Sequence, residues 1–150
     1  QMRAGTENVP GIVGLGRAAA IAMTHLLKEQ ERLTVLRERM IMRLTAEIPE
    51  VKINGARNER LPGNVNVTVR GVSAETLLVL LDLAGVCASA GSACAAGSLE
   101  PSHVLLAMGL SEEEARSTIR LTMGRETSAE DVEKTCDILR DIVGKLRAKT

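Results

Sequence analysis

The sequence predicts an α/β fold of the two-layer α+β kind, a short mixed, mainly antiparallel sheet packed against helices. Three observations predict it. Apolar residues recur at helical spacing near both ends of the chain. Asn64-Val-Asn-Val-Thr-Val-Arg70 alternates polar and apolar residues strictly, as a strand with one buried face does. Thr118-Ile-Arg-Leu-Thr-Met123 is a β-branched run standing between helix signals, so helices interleave with three or four strands in one layered structure.

Asn8 before Val9-Pro10 reads as a helix entry, with proline in the first turn. Ile12, Leu15, Ala19, Ala22, Met23 and Leu26 then follow helical spacing and continue through Leu33, Leu36, Met40 and Leu44. This is one long helix or two joined near Thr34, and Gly11, Gly14 and Gly16 offer close approach to another backbone. Pro49 closes the region and Val51-Lys-Ile-Asn-Gly55 reads as a short strand into a turn. After the Asn64–Arg70 strand, Ser73 opens a helix over Leu77–Leu83 that Gly85 terminates. Val86-Cys-Ala-Ser-Ala90 is a strand candidate leading into the small residues Gly91 to Ser98. Glu100–Met108 reads as a short helix ending at Gly109, and Ser111-Glu-Glu-Glu114 opens a further turn. Ser128-Ala-Glu-Asp131 caps a final amphipathic helix running to about Leu146.

The 150 residues, 45% of them apolar, suffice for one substantial core. Nineteen basic residues balance nineteen acidic ones, so no net charge draws the chain to nucleic acid or to an anionic membrane. Phe, Tyr and Trp are absent, which removes base stacking as a binding mode and leaves Leu, Ile, Val, Met and Ala to fill the core. The longest apolar runs, such as Leu77–Leu81, are far too short to cross a bilayer, and no basic segment followed by an apolar signal core opens the chain. Three cysteines cannot all pair with one another, and their spacing is unlike a disulfide framework. The expectation is a soluble, cytoplasmic protein with free thiols, bound to neither membrane nor nucleic acid.

Cys94 lies in Ala90-Gly-Ser-Ala-Cys-Ala-Ala-Gly-Ser98, where small side chains and glycines suit a thiol that must be reachable and must move. The competing reading is a small buried hydrophobe in a tight turn, the commoner fate of an intracellular cysteine. Cys87, in the strand candidate, and Cys136, among Val132, Leu139 and Val143, read as core residues. Cys87, Cys94 and His103 match no zinc spacing, so no metal site is assigned. A Cys94/His103 pair would suit a thiol hydrolase, although His103 and His25 are as simply structural. Arg120 sits inside an apolar strand, where its planar fork suits a carboxylate; an outward position on an edge strand explains it equally. Thr6 has either a turn role or a hydroxyl for a phosphate.

Four segments occur together in order: Arg3-Ala-Gly-Thr-Glu-Asn8, Leu61-Pro-Gly-Asn-Val-Asn66, Gly91-Ser-Ala-Cys-Ala-Ala-Gly-Ser-Leu-Glu-Pro-Ser-His103 and Ile119-Arg-Leu-Thr-Met-Gly-Arg125. In this the chain resembles the NifS/IscS-like cysteine desulfurases of the class V aminotransferase group, over essentially its whole length and over their carboxy-terminal part. The resemblance implies the small domain of a fold-type I pyridoxal-phosphate enzyme, with residues 1–25 joining it to a large domain and 26–150 forming the small domain that carries the cysteine loop. It implies conversion of L-cysteine to L-alanine, with Cys94 as the thiolate that attacks the substrate sulfur and keeps it as a persulfide. Arg120 then matches the clamp on the substrate carboxylate, and Thr6 a hydroxyl on the cofactor phosphate of the neighbouring subunit of a homodimer.

The implied partners are an iron–sulfur scaffold protein or another sulfur acceptor, and in some scaffold complexes Cys94 would be a shared cluster ligand. The family's cofactor lysine is expected upstream of Gln1, so the chain alone is expected to be inactive. The alternative is a folded acceptor and interaction domain without catalysis of its own. Two departures from the family pattern stand out. Leu121 replaces a usual phenylalanine, and Ala95 and Ala96 replace residues that often carry hydroxyls.

Overall fold

The computed structural model describes residues 5–90 and 101–148. The first helix, α1, runs unbroken over Val9–Glu47, with no join at Thr34. Asn8 caps it by accepting the Gly11 amide at 3.1 Å, and Pro10 sits in the first turn, where no amide is needed. At 1.5 Å per residue the helix is about 58 Å long. Its two halves differ in surroundings. From Leu33 onward Leu36, Met40, Ile41 and Leu44 enter the core, whereas Val9, Ile12, Val13, Leu15, Met23 and Leu27 are exposed. The apolar spacing of the first half therefore does not mark a face buried within this chain.

The same stretch corrects the reading of apolar runs. By length and composition α1 contains a window long and apolar enough to cross a membrane, because Arg17 and His25 interrupt the run without making it polar.

Three strands follow the helix: β1 (Val51–Ile53), β2 (Asn64–Val69) and β3 (Thr118–Thr122). They lie in the order β1-β2-β3, and both ladders are antiparallel, so the described sheet is not mixed. The predicted strand over Val86–Ala90 reduces to one antiparallel bridge, Ser89 with Arg120. Between β2 and β3 the described residues form α2 (Ala74–Leu83), α3 (His103–Ala107) and α4 (Glu112–Arg116), and α5 (Ala129–Arg147) follows β3. Ser111 and Ser128 each form a complete capping box, with Glu114 and Asp131. Ser73 stands at the N-cap of α2 without a side-chain cap bond.

The register determines which side chains share a face. Val65 lies opposite Leu121 and Val67 opposite Ile119, and these side chains form the apolar face. The second half of α1, α2 and α5 cover that face, burying Leu77, Leu81, Val132, Leu139 and Val143 against it. Leu121, in place of an aromatic ring, is 3% exposed and packs within this core, so the smaller side chain is accommodated there. A satellite cluster of Leu105, Leu110 and Ala115 sits under α3 and α4.

Close approach ties the strand ends together. The Met123 amide donates to the Gly63 carbonyl at 2.7 Å, and a Cβ on Gly63 would stand 2.5 Å from the Met123 carbonyl oxygen. Only glycine fits that position without a backbone shift. Arg32 from α1 then donates to the carbonyls of Thr127 (2.6 Å), Gly124 (3.0 Å) and Arg125 (2.9 Å), fixing the turn into α5.

Candidate functional site

The second face of the sheet is polar, because the alternation that sends Val65, Val67 and Val69 into the core sends Asn64, Asn66 and Thr68 the other way. Across the ladder Asn66 faces Arg120 and Thr68 faces Thr118. Arg120 exchanges both backbone bonds with Ser89 on its other side: its amide donates to Ser89 at 2.6 Å and its carbonyl accepts at 3.0 Å. Arg120 and Asn66 are therefore a non-hydrogen-bonded pair, the arrangement that brings opposed side chains closest. Asn54, just after β1, donates its amide to the Asn66 carbonyl at 2.9 Å. One row thus crosses the sheet: Asn54, Asn66, Arg120, Ser89.

A chain of hydrogen bonds runs beneath this row. The Thr118 hydroxyl donates to the Glu114 carbonyl at 2.6 Å, which uses its only proton. The Thr68 hydroxyl, 2.7 Å away, must therefore donate to Thr118. Thr68 is then left as an acceptor, so the Asn54 group at 2.8 Å is its nitrogen, Nδ2. That same nitrogen donates to Asn66 Oδ1 at 2.8 Å. Asn54 is 4% exposed, and its Oδ1 is buried with no hydrogen-bond partner among the described residues. Such an orphaned acceptor costs about 1–3 kcal/mol.

Glu114 closes the far end of this face. Its carboxylate pairs with Arg70 (2.7 Å) and Lys52 (3.6 Å), and the Arg70 guanidinium leads the groups holding it below the usual carboxylate range. At the other end Arg120 is only half-buried, and its guanidinium has no hydrogen-bond partner among the described residues. An arginine whose fork is not used by the described residues around it is suited to receive a carboxylate.

Thr6 lies elsewhere. It is exposed, just before α1, and the helix separates it from the core contacts near Leu33 by about 36 Å of helical rise. One chain therefore does not bring Thr6 and Arg120 together. Cys94, like Arg3, lies outside the described residues. Cys136 is buried, as expected, and burial pushes its thiol up to about 11. Cys87 is not the core residue the sequence suggested: it is exposed, because the segment beside β3 pairs only at Ser89. It lines a cavity of about 370 Å³ bounded also by Thr122, Asp131 and Lys134. His103 starts α3, exposed, and His25 is exposed on α1. Among the described residues no cluster of His, Cys, Asp or Glu could hold a metal ion.

The family model for Aminotransferase class-V matches residues 1–135. The chain belongs to this family. Cysteine desulfurase IscS of Clostridium botulinum is 47% identical over 147 residues, 97% of this chain and 37% of that protein. Cysteine desulfurase IscS of Dictyoglomus turgidum is 48% identical over 145 residues, 97% of this chain and 37% of its own length. A cysteine desulfurase of Nostoc is 44% identical over 146 residues, again 97% of this chain, and 36% of that protein. Among solved structures, a NifS-like protein from Rickettsia africae superposes with a TM-score of 0.80 at 31% identity, covering 93% of this chain and 36% of that one. DndA from Streptomyces lividans gives 0.57 at 35% identity, covering 80% and 33%. The chain thus spans little more than a third of the length of the family members it matches. The class V resemblance and the small α+β architecture agree with what the motifs imply.

Within this family the strand motifs acquire a spatial meaning. Leu61-Pro-Gly-Asn-Val-Asn66 and Ile119-Arg-Leu-Thr-Met-Gly-Arg125 are remote in sequence yet form adjacent strands, joined at Gly63–Met123 and paired through Asn66–Arg120. Strict alternation over 64–70 already placed Asn66 and Thr68 on one face. That Arg120 stands opposite Asn66, and that Asn54 joins them, depends on register between distant segments and carries no local signal.

Proposed function

We propose that this chain is the small-domain portion of a pyridoxal-phosphate-dependent cysteine desulfurase, which converts L-cysteine to L-alanine and retains the sulfur on Cys94. The carrying observation is 44–48% identity to cysteine desulfurases over 97% of the chain, a span that includes the Cys94 loop and Arg120. Arg120, half-buried on the polar face and without an acceptor among the described residues, binds the substrate carboxylate and orients the molecule. The Cys94 thiolate attacks the substrate sulfur. A sulfur–sulfur bond forms as the carbon–sulfur bond breaks; the electron pair stays with the substrate carbon, which takes a proton and leaves as alanine. Bound pyridoxal phosphate supplies the sink that stabilises negative charge on the substrate.

The described residues fit only one edge of a cofactor site. Thr6 offers an exposed hydroxyl far from Arg120, which suits contact with the cofactor phosphate of a neighbouring subunit in a homodimer. Of the lysines nearest in sequence, Lys28 stands on α1 and Lys52 pairs with Glu114. The cofactor-binding lysine belongs to a large domain outside this chain. Residues 1–25 join that domain to the small domain formed by 26–150, and the exposed apolar side chains of α1 support this division. A helix apolar on all sides is normally covered on all sides, here by the rest of the parent protein instead of by lipid. The persulfide passes to an iron–sulfur scaffold or another sulfur acceptor in the cytoplasm, and Cys94 is the residue that would serve as a shared cluster ligand.

The test is turnover. Parent protein given pyridoxal phosphate, L-cysteine and a thiol reductant should release alanine and sulfide in equal amounts, and residues 1–150 alone should release neither. Turnover by the isolated chain would overturn the division of labour; absence of alanine from the parent would overturn the activity.

A further inference from the structure

We propose that Asn66 is a second binding residue for the substrate carboxylate, donating its amide N–H beside Arg120 and oriented for this by Asn54. The proposal rests on the reading of Arg120 as the carboxylate clamp. Its own support is the directed chain of hydrogen bonds. The Thr118 proton goes to Glu114 and the Thr68 proton to Thr118, so Asn54 can offer Thr68 only Nδ2, and Asn66 must meet that nitrogen with Oδ1. In a planar amide the oxygen and nitrogen diverge, so Nδ2 of Asn66 is left on the side away from Asn54. The next residue in the row on that side is Arg120.

Neither group can satisfy the other. A guanidinium carries donors only, and so does the NH2 group that Asn66 has left. Asn66 Nδ2 has no acceptor among the described residues, and neither has Arg120. Two neighbouring side chains thus present donors from one half-buried row of the sheet, and a group that accepts from both must bring at least two acceptor oxygens. A carboxylate does, and its negative charge suits Arg120. This orientation leaves Asn54 Oδ1 buried with no partner among the described residues, the cost of aiming Asn66 Nδ2 away from Asn54. The ligand class is the carboxylate of a small α-amino acid, and the added donor favours a planar anion over the bare amine.

The experiment measures L-alanine binding to the cofactor-loaded parent protein by calorimetry, with the melting temperature of each variant as a check on folding. Asn66→Leu should weaken L-alanine by roughly tenfold or more, the size of one hydrogen bond to a charged group. Asn66→Asp keeps an oxygen for Asn54, and hence the fold, but should weaken binding further by placing a like charge beside the ligand. Ethylamine, which lacks the carboxylate, should bind Asn66→Leu as it binds the unaltered protein. Unchanged L-alanine binding in Asn66→Leu, with binding lost in Arg120→Leu, would overturn the role of Asn66 alone. Unchanged binding in Arg120→Leu would overturn the clamp on which it rests.

Discussion

The two faces of the three-stranded sheet differ in what they are made to do. On one, Val65, Val67, Val69, Ile119 and Leu121 are almost fully buried under helices, with no polar atom among their side chains. On the other, Asn66, Thr68, Thr118 and Arg120 form a row-by-row polar surface, buried and bonded towards Glu114 and open towards Arg120. The same period-two backbone makes both, so one strand such as β3 contributes Ile119 to the core and Arg120 to the polar face. Packing holds the frame, and directed hydrogen bonds aim what stands on it.

Breaking the apolar face should have the largest effect on stability. Leu77→Ala removes a fully buried side chain of α2 from that face and should cost about 2–5 kcal/mol, read from the shift of the urea unfolding midpoint. A loss below about 0.5 kcal/mol would mean that α2 does not depend on this contact. Breaking the polar face should cost less. Thr68→Val keeps the shape but leaves one buried Asn54 proton without its acceptor, and the expected loss is about 1–3 kcal/mol in the same measurement. A cost as large as that of Leu77→Ala would show that the polar chain carries the fold as well as the site.

Much of the frame was legible in the sequence. The capping boxes at Ser111 and Ser128 are local signals with local consequences, and the strands at 64–69 and 118–122 fall where alternation and β-branching put them. Two regions departed from the reading. Val86–Ala90 has strand-like composition, yet a strand needs a partner along its length, and among the described residues Ser89 alone finds one; Cys87 is exposed. The first half of α1 has the apolar spacing of a core helix, yet its Val9, Ile12, Leu15, Met23 and Leu27 are exposed, since periodicity reports that a face is buried and not by what. At the site, Arg120 was singled out by its oddity in an apolar strand, whereas Asn54 and Asn66 became visible only through cross-strand register. Cys94 was placed by its motif, and its surroundings lie outside the described residues.

The three cysteines carry the sharpest test of the account. Cys136 on α5 belongs to the core, where burial pushes its thiol up to about 11 and opposes the thiolate; Cys87 is exposed beside the sheet; Cys94 lies in the motif Gly91-Ser-Ala-Cys-Ala-Ala-Gly-Ser98. The deciding measurement is peptide mapping by mass spectrometry of the parent protein after a single turnover with L-cysteine and no reductant. The account predicts one added sulfur atom on the peptide containing Cys94, and none on any peptide of a Cys94→Ser variant. Sulfur found on Cys87 or Cys136, or loading that survives in Cys94→Ser, would contradict it.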